Sequence, residues 1–242
     1  MRLFGLIGYP LSHSFSKKYF TSKFEKEGIT DCRYELFPLT TMDALQPLLQ
    51  KNPELEGLNV TIPYKQQVLP FLDESHLPQG LDACNCINII GGKLAGYNTD
   101  VTGFELSLSP LLRTWHQKAL VLGSGGASAA VVYVLQKLGI DYTIVSRKKQ
   151  GHATMAYSAV TKSTLADHLL IINTTPLGME PETNACPAIP YRYITEKHLL
   201  YDLVYNPALT LFLQKGQERG ATTRNGEEML LLQAEESWRI WN

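Results

Sequence analysis

Short apolar runs alternate along this chain with longer segments in which apolar residues recur at helical spacing. In the first hundred residues, three such runs predict strands at 3–8, 32–37 and 57–61. The segments that follow them predict helices at 14–27, 42–50 and 64–72. Residues 85–90 and Lys93–Tyr97 flank Gly91-Gly92, which is the spacing of a β-hairpin.

A connecting helix is predicted at 101–112, and a second series of strands and helices starts after it. Its strands are predicted at Lys118–Leu122, 142–145, 169–173 and 199–204. Its helices are predicted at 128–138, 209–219 and Glu227–Trp241. This alternation predicts an α/β protein with two α/β domains, 1–101 and 102–225, and a ligand cleft between them. The final helix, 226–242, is expected to pack back on the first domain.

Composition narrows the classes of partner. The 242 residues carry a formal net charge of −1, so we expect no nucleic-acid surface. Because no apolar run reaches about 18 residues, we expect a cytoplasmic protein without a membrane partner. We expect a monomer or a homodimer, and the sequence does not distinguish the two. The four cysteines match neither a disulfide framework nor a zinc site. Cys84 and Cys86 are either a metal-site fragment or two small strand residues, and we expect the latter and no metal.

A glycine-rich turn follows the strand Lys118–Leu122. Gly123, Gly125 and Gly126 precede Ala127 at the predicted start of a helix. Glycines let the backbone approach a pyrophosphate, and a helix N-terminus offers N–H groups and the positive end of its dipole. This context predicts a dinucleotide site, with a purely structural turn or an S-adenosylmethionine site as the alternatives.

The residues after the next strand bear on the kind of dinucleotide. NAD sites usually carry an acid there for the ribose 2′-hydroxyl, but this chain has Ser146, Arg147 and Lys148, followed by Lys149. A guanidinium matches a 2′-phosphate with paired hydrogen bonds. The segment therefore favours NADP over NAD, unless it is only a solvated charged turn.

Polar side chains gather near the predicted strand ends of the first domain. They are Ser12, His13, Ser14, Ser16, Asn59, Thr61, Lys65, Asn85, Asn98, Thr99 and Asp100. Ligands of open α/β sheets bind beyond the carboxyl ends of strands, and this set suits a small, anionic, polyhydroxylated molecule. Each residue also has a structural alternative: a helix cap for the serines, a turn for His13 and Asn98, and a solvated surface for Lys65.

Six motifs, taken together, resemble the shikimate dehydrogenases. They are S-H-S-x-S (12–16), N-V-T-x-P-x-K (59–65), N-T-D (98–100), G-x-G-G-A (123–127), Y-D-x-x-Y-x-P (201–207) and N-G-x-x-M-L-x-x-Q (225–233). They occur in the family's order, and the matches run from about residue 5 to 234. The resemblance implies reversible, NADPH-dependent reduction of 3-dehydroshikimate to shikimate, in the pathway to chorismate and the aromatic amino acids. It also implies an N-terminal substrate domain and a Rossmann-like NADP-binding domain.

The resemblance further implies roles for individual residues. Lys65 and Asp100 would be the catalytic pair. The substrate-binding set would be Ser14, Ser16, Thr61, Asn85, Asp100, Tyr205 and Gln233. The cofactor-binding set, for NADP(H), would be Gly123, Gly125, Gly126, Ala127, Ser146, Arg147, Lys148, Thr174 and Met229.

The chain departs from the family pattern at three places, and three rival functions remain as alternatives. Cys86 stands where threonine is frequent, Ser146-Arg147-Lys148 where Asn-Arg-Thr is usual, and Glu228 where glycine is common.

The rival functions are a quinate/shikimate dehydrogenase that uses NAD or both cofactors, a methylenetetrahydrofolate dehydrogenase, and a non-catalytic NADP- or shikimate-binding regulator. The absence of an Asp or Glu after the second strand of the cofactor domain argues against a preference for NAD. The presence of both Lys65 and Asp100 argues against the regulator.

Overall fold

The computed structural model describes residues 1–11, 14–147 and 154–242. They form two compact units, one of 1–99 with 234–242 and one of 100–233. The predicted domains, 1–101 with 226–242 and 102–225, are divisions by function and stay a prediction. In the described ranges, every helix is too short or too polar to cross a membrane.

A six-stranded mixed sheet forms the first unit. Its strands are β1 (Arg2–Gly8), β2 (Cys32–Pro38), β3 (Leu55–Val60), β4 (Glu74–Ser75), β5 (Cys86–Ile90) and β6 (Lys93–Tyr97). Their order is β2-β1-β3-β5-β6-β4. β1 is parallel to β2 and β3, whereas β5 is antiparallel to both β3 and β6. Parallel pairing therefore covers only part of this sheet.

Glycines end the local elements of this unit as predicted. Gly91 and Gly92 have φ values of 59° and 79°, which suit a two-residue turn between β5 and β6. Helix α1 (Phe15–Glu27) ends at Gly28, whose left-handed backbone has a φ of 67°. The hairpin and the end of α1 are thus confirmed.

The prediction of a helix at 64–72 was wrong. This segment, which follows β3, forms turns and a short 3₁₀ helix, Leu69–Phe71. Pro70 has no N–H and would clash inside an α-helix. The Tyr64 hydroxyl donates to the Leu39 carbonyl at 2.6 Å, which holds the start of the segment against the core. The predicted helix at 42–50 is present as a 3₁₀ turn, Met42–Ala44, followed by α2 (Leu45–Lys51).

The second unit contains a six-stranded, fully parallel sheet. Its strands are β7 (Lys118–Leu122), β8 (Asp141–Ser146), β9 (Met155–Ala156), β10 (Leu170–Asn173), β11 (Leu199–Asp202) and β12 (Thr222–Arg224). Their order is β12-β11-β10-β7-β8-β9. The chain runs outward from β7 on one side and from β10 on the other, so the switch point of this Rossmann-like sheet lies between these two strands.

In the part of the chain that the structure describes, five further α-helices are α3 (Thr99–Leu108), α4 (Gly126–Lys137), α5 (Lys162–Asp167), α6 (Leu211–Gln217) and α7 (Glu227–Trp241). Helix α7 has the predicted bounds. The four short elements β4, β9, α5 and β12 were missed, because two to six residues carry too little periodicity to be recognised.

The end of α7 packs on the first sheet. Trp241 stacks on Phe4 with ring centroids 4.9 Å apart, and its indole N–H donates to the Ile87 carbonyl at 2.9 Å. A Cβ added to Gly57 would lie 2.3 Å from the Trp241 indole nitrogen. Glycine at 57 is therefore needed for the indole to approach β3.

Candidate active site

The start of α1 carries two predicted substrate ligands, Ser14 and Ser16. Ser14 is the N-cap residue, but its side chain makes no cap hydrogen bond. Its Oγ is buried and has no hydrogen-bond partner among the described residues. An unpaired buried hydroxyl costs about 1–3 kcal/mol, so a ligand oxygen at this position would stabilise it. Ser12 and His13 of the same motif lie outside the described residues.

A shallow cavity of about 510 Å³ opens beside α1. Its lining residues are Ser14, Lys17, Lys18, Thr21, Ser22, Glu25 and Leu36. Lys17 is paired with Glu35 at 2.6 Å. The cavity contains neither Thr61 nor Lys65, so it includes only one end of the predicted substrate site.

Thr61 and Lys65 lie in the irregular segment after β3, and both are half-buried. The Thr61 N–H donates to the Ile7 carbonyl at 2.9 Å, and the Lys65 carbonyl accepts from the Cys84 N–H at 2.7 Å. These bonds tie the segment to β1 on one side and to the chain entering β5 on the other. Lys65 is therefore half-buried on an anchored backbone, whereas the structural alternative for it was a fully solvated surface lysine.

Asn85 holds the residue that precedes Asp100. Its Oδ1 accepts the Thr99 N–H at 2.6 Å, and its Nδ2 donates to Thr99 Oγ1 at 3.0 Å. Thr99 begins α3, and Asp100 lies in the first turn of that helix. The Asn85 amide thus fixes the backbone beside Asp100, while its role as a direct ligand stays a prediction.

A buried polar chain continues from Thr99 across the unit. Thr99 Oγ1 lies 3.3 Å from Ser237 Oγ, which accepts from Asn59 Nδ2 at 2.9 Å. The Asn59 Oδ1 in turn accepts from the Tyr34 hydroxyl at 2.8 Å. Burial raises the pKa of Tyr34 well above its ordinary value, and a hydrogen bond with Ser16 opposes that shift. The residue before Asp100 is therefore one end of a hydrogen-bonded series, and the other end, Tyr34, lies near the predicted ligand Ser16.

The glycine turn after β7 has the shape that a pyrophosphate site needs. Gly123 has a φ of 115°, and a Cβ there would lie 2.6 Å from Thr174 Oγ1. A Cβ on Gly125 or Gly126 would meet no atom within 4 Å, so the backbone there is open. Gly125 is the N-cap of α4, whose first N–H groups, including that of Ala127, have no partner within the helix.

Thr174 connects the ends of β10 and β7 at the switch point. Its N–H and Oγ1 both bond to the Leu122 carbonyl, at 2.9 and 3.0 Å. The preceding Asn173 donates to Asp202 Oδ1 at 2.9 Å, and Thr210 donates to Asp202 Oδ2 at 2.6 Å. Burial raises the pKa of Asp202 to about 6 even though these donors favour its ionised form.

Ser146 ends β8 and Arg147 follows it with an exposed side chain. Lys148 lies outside the described residues. Burial raises the pKa of Tyr157 to about 12, and the positive charge of Arg147 opposes that shift, so Arg147 lies near this hydroxyl. Arg147 is thus exposed at the end of the strand next to β7, where the sequence predicted a cation.

The remaining predicted residues are carried by the loop after β11 and by α7. Tyr205 is half-buried, which raises its pKa. A Cβ added to Gly103 of α3 would lie 2.6 Å from the Met229 carbonyl and 3.0 Å from Gln233 Cβ. Helix α3, which carries Asp100, therefore packs closely against the stretch of α7 that carries Met229 and Gln233.

Comparison with known proteins gives the family. Residues 6–87 match the family model described as the shikimate dehydrogenase substrate binding domain. The chain is 36% identical over 258 residues to a shikimate dehydrogenase (NADP(+)) of Carboxydothermus hydrogenoformans, covering 99% of this chain and 91% of that protein. The chain belongs to the shikimate dehydrogenase family.

Two further matches agree with this assignment. A shikimate dehydrogenase (NADP(+)) of Desulforamulus reducens is 33% identical over 259 residues, covering 98% of this chain and 88% of that protein. The crystal structure of the Thermus thermophilus shikimate 5-dehydrogenase in complex with NADP(H) and shikimate superposes with a TM-score of 0.87. It is 30% identical and covers 100% of this chain and 94% of that one.

Membership of the shikimate dehydrogenase family confirms the predicted fold class. The residues behind the site that received no individual role from the sequence are Asn59, Thr99, Asp202, Thr210 and Ser237. Asn59, Thr99 and Asp202 fall inside the recognised motifs, which was the available signal. Ser237 gave no signal, because a serine within an amphipathic helix has no local feature that reveals its partners.

Proposed function

We propose that this chain catalyses the reversible, NADPH-dependent reduction of 3-dehydroshikimate to shikimate in the shikimate pathway. The observation that carries the proposal is the open Gly123–Ala127 turn, next to an exposed Arg147, in a chain of the shikimate dehydrogenase family. A cytoplasmic location and a monomeric or homodimeric state stay predictions, and sedimentation of the purified chain measures the second.

The residues of the second unit fit a dinucleotide phosphate. Gly125, Gly126 and Ala127 offer backbone N–H groups to the pyrophosphate, and no Cβ obstructs the two glycines. Arg147 would bind the 2′-phosphate with paired, charge-assisted hydrogen bonds. Thr174 and Met229 would line the nicotinamide end. When bound, NADPH supplies the hydride for the reduction.

The other predicted residues supply substrate binding and the proton. Ser14, Ser16 and Thr61 would bind the carboxylate, and Asn85, Asp100, Tyr205 and Gln233 the ring hydroxyls. As the carbonyl oxygen gains negative charge, the Lys65 ammonium stabilises that charge and donates a proton to the oxygen. Asp100 orients Lys65 and the neighbouring hydroxyl. In the oxidative direction, the same pair accepts the proton.

The test is a spectrophotometric assay of the purified chain. Shikimate and quinate are each offered with NADP⁺ or NAD⁺, and the absorbance of the reduced nicotinamide is followed. We expect turnover with shikimate and NADP⁺ that exceeds every other pair by at least about tenfold. Equal rates with NAD⁺ would assign Arg147 to a solvated turn, and equal rates with quinate would favour a dual-substrate enzyme. Binding of shikimate or NADP⁺ without any turnover would favour the regulator.

A further inference from the structure

Behind the candidate substrate site lies a series of buried polar side chains that the proposed chemistry does not use. Its members are Tyr34, Asn59, Asn85, Thr99 and Ser237, and none is more than 5% exposed. They come from β2, β3, the entry to β5, the start of α3 and the end of α7. Each polar link between neighbours lies between 2.6 and 3.3 Å.

Ser237 is the member that joins the two halves of this series. Asn59 Nδ2 donates to its Oγ at 2.9 Å. Thr99 Oγ1 lies 3.3 Å away. Asn59 Nδ2 also donates directly to the Asn85 carbonyl, but at a longer distance of 3.4 Å, so Ser237 supplies the shorter of these two links between the Tyr34–Asn59 half and the Thr99–Asn85 half.

Both ends of the series reach predicted ligands. At one end, the Tyr34 hydroxyl lies near Ser16, a predicted carboxylate ligand. At the other end, Thr99 is held at its N–H and its hydroxyl by Asn85, and the next residue is Asp100. A fully satisfied buried network is rigid, since each displaced group would lose a partner in a low-dielectric interior.

We propose that Ser237 and Thr99 are positioning residues, which set Asp100 at the place that catalysis needs through the Asn59–Ser237–Thr99–Asn85 network. Both side chains are buried, with 0% and 1% exposure, and they act on the backbone at the start of α3. A displacement of a catalytic group by about 1 Å can lower a rate by about 10²-fold. The inference rests on the proposed function, because Asp100 has its role only there.

The experiment compares variants in the purified full chain. Ser237→Ala removes the joining oxygen, and Thr99→Val removes the hydroxyl while keeping the shape of the side chain. Thr99→Ser keeps the hydroxyl and is the rescue variant. Ser107→Ala is the matched control, because Ser107 is equally buried, lies on α3, and bonds to the Tyr201 hydroxyl at 2.6 Å outside the network.

We measure kcat and KM for shikimate and for NADP⁺, together with the melting temperature. Ser237→Ala and Thr99→Val should lower kcat/KM for shikimate by about tenfold or more, with KM for NADP⁺ changed by less than about twofold. Thr99→Ser should stay within about threefold of the wild type. Ser107→Ala should lower the melting temperature comparably but leave kcat/KM for shikimate within about threefold.

Equal losses of kcat/KM in Ser237→Ala and Ser107→Ala would overturn the inference, because they would show a structural role alone. If Ser237→Ala does not fold, the Thr99→Val and Thr99→Ser pair decides: equal activity in both contradicts the positioning role, and a difference of about tenfold supports it. A wild-type chain that does not oxidise shikimate would instead overturn the proposed function, so the two failures are distinct.

Discussion

The two units prepare their ligand sites in different ways. In the first, buried side chains of Tyr34, Asn59 and Ser237 support the predicted substrate ligands from behind. In the second, the backbone of a glycine turn is the binding surface, and side chains such as Thr174 only fix its shape. A small polyhydroxylated acid has many polar groups to be recognised one by one, whereas a pyrophosphate needs N–H groups and close approach.

The strongest test of the substrate side is removal of the proposed catalytic groups. Lys65→Met and Asp100→Asn should each lower kcat by roughly 10²–10⁴-fold, since proton transfer and charge stabilisation are lost. Steady-state kinetics with shikimate and NADP⁺ measures this, with circular dichroism to show an intact fold. Lys51→Met, at an exposed position at the end of α2, is the control for loss of one lysine. Near wild-type turnover in both variants would contradict the assignment.

A pH titration of stability tests the buried polar groups of the cofactor side. The pKa of Asp202 is about 6 in the folded chain against an ordinary value of 3.8, so the folded state binds a proton that the unfolded state releases. This stabilisation is complete below about pH 4 and is lost as the pH rises through about 6. Urea unfolding should show a decrease of about 3 kcal/mol over that range.

Asp202→Asn should remove this part of the pH dependence, because the amide does not titrate. Asp43→Asn, at an exposed position, is the matched control and should keep it. The free energy of unfolding of the wild type and of Asp202→Asn should therefore change differently between about pH 4 and 6. If both change with pH at the same rate, Asp202 does not titrate as stated.

Two glycine substitutions separate the two functions of the turn, which are to adopt its backbone conformation and to let the cofactor approach the backbone. Gly123→Ala should lower the free energy of unfolding by about 1–3 kcal/mol, because alanine is strained at a φ of 115° and its Cβ overlaps Thr174. Gly125→Ala should leave stability nearly unchanged, because its φ is −85° and no atom lies near the added Cβ. Its methyl group should instead raise KM for NADP⁺. An unchanged KM would place the pyrophosphate elsewhere.

The smallest expected effect concerns cofactor choice. Arg147→Ala should lower the preference for NADP⁺ over NAD⁺ by about tenfold, since a charge-assisted hydrogen bond contributes about 1.5–3 kcal/mol. The ratio of kcat/KM for the two cofactors measures the preference. Arg219→Ala, at another exposed position of the second unit, controls for the loss of one positive charge. Equal ratios in the wild type and Arg147→Ala would leave the 2′-phosphate to other groups.

The sequence by itself determined the features that depend on neighbouring residues. Gly28, Gly139 and Gly220 end helices or lie just past them with positive φ, and the Gly123–Ala127 turn opens a helix after a strand. These features follow from local sterics and periodicity, which act over a few residues. The motifs named the family and the predicted site residues for the same reason, because each motif is a short, local string.

Only the tertiary structure decided which distant groups meet. Asn59 and Ser237 are hydrogen-bonded although 178 positions separate them in the sequence, and neither residue type predicts the other as its partner. The segment 64–72 lost its predicted helix because tertiary contacts and Pro70 outweighed its periodicity. The raised pKa of Asp202 arises from burial by other strands and loops. Partners and burial depend on how the strands are ordered in each sheet, which local patterns do not encode.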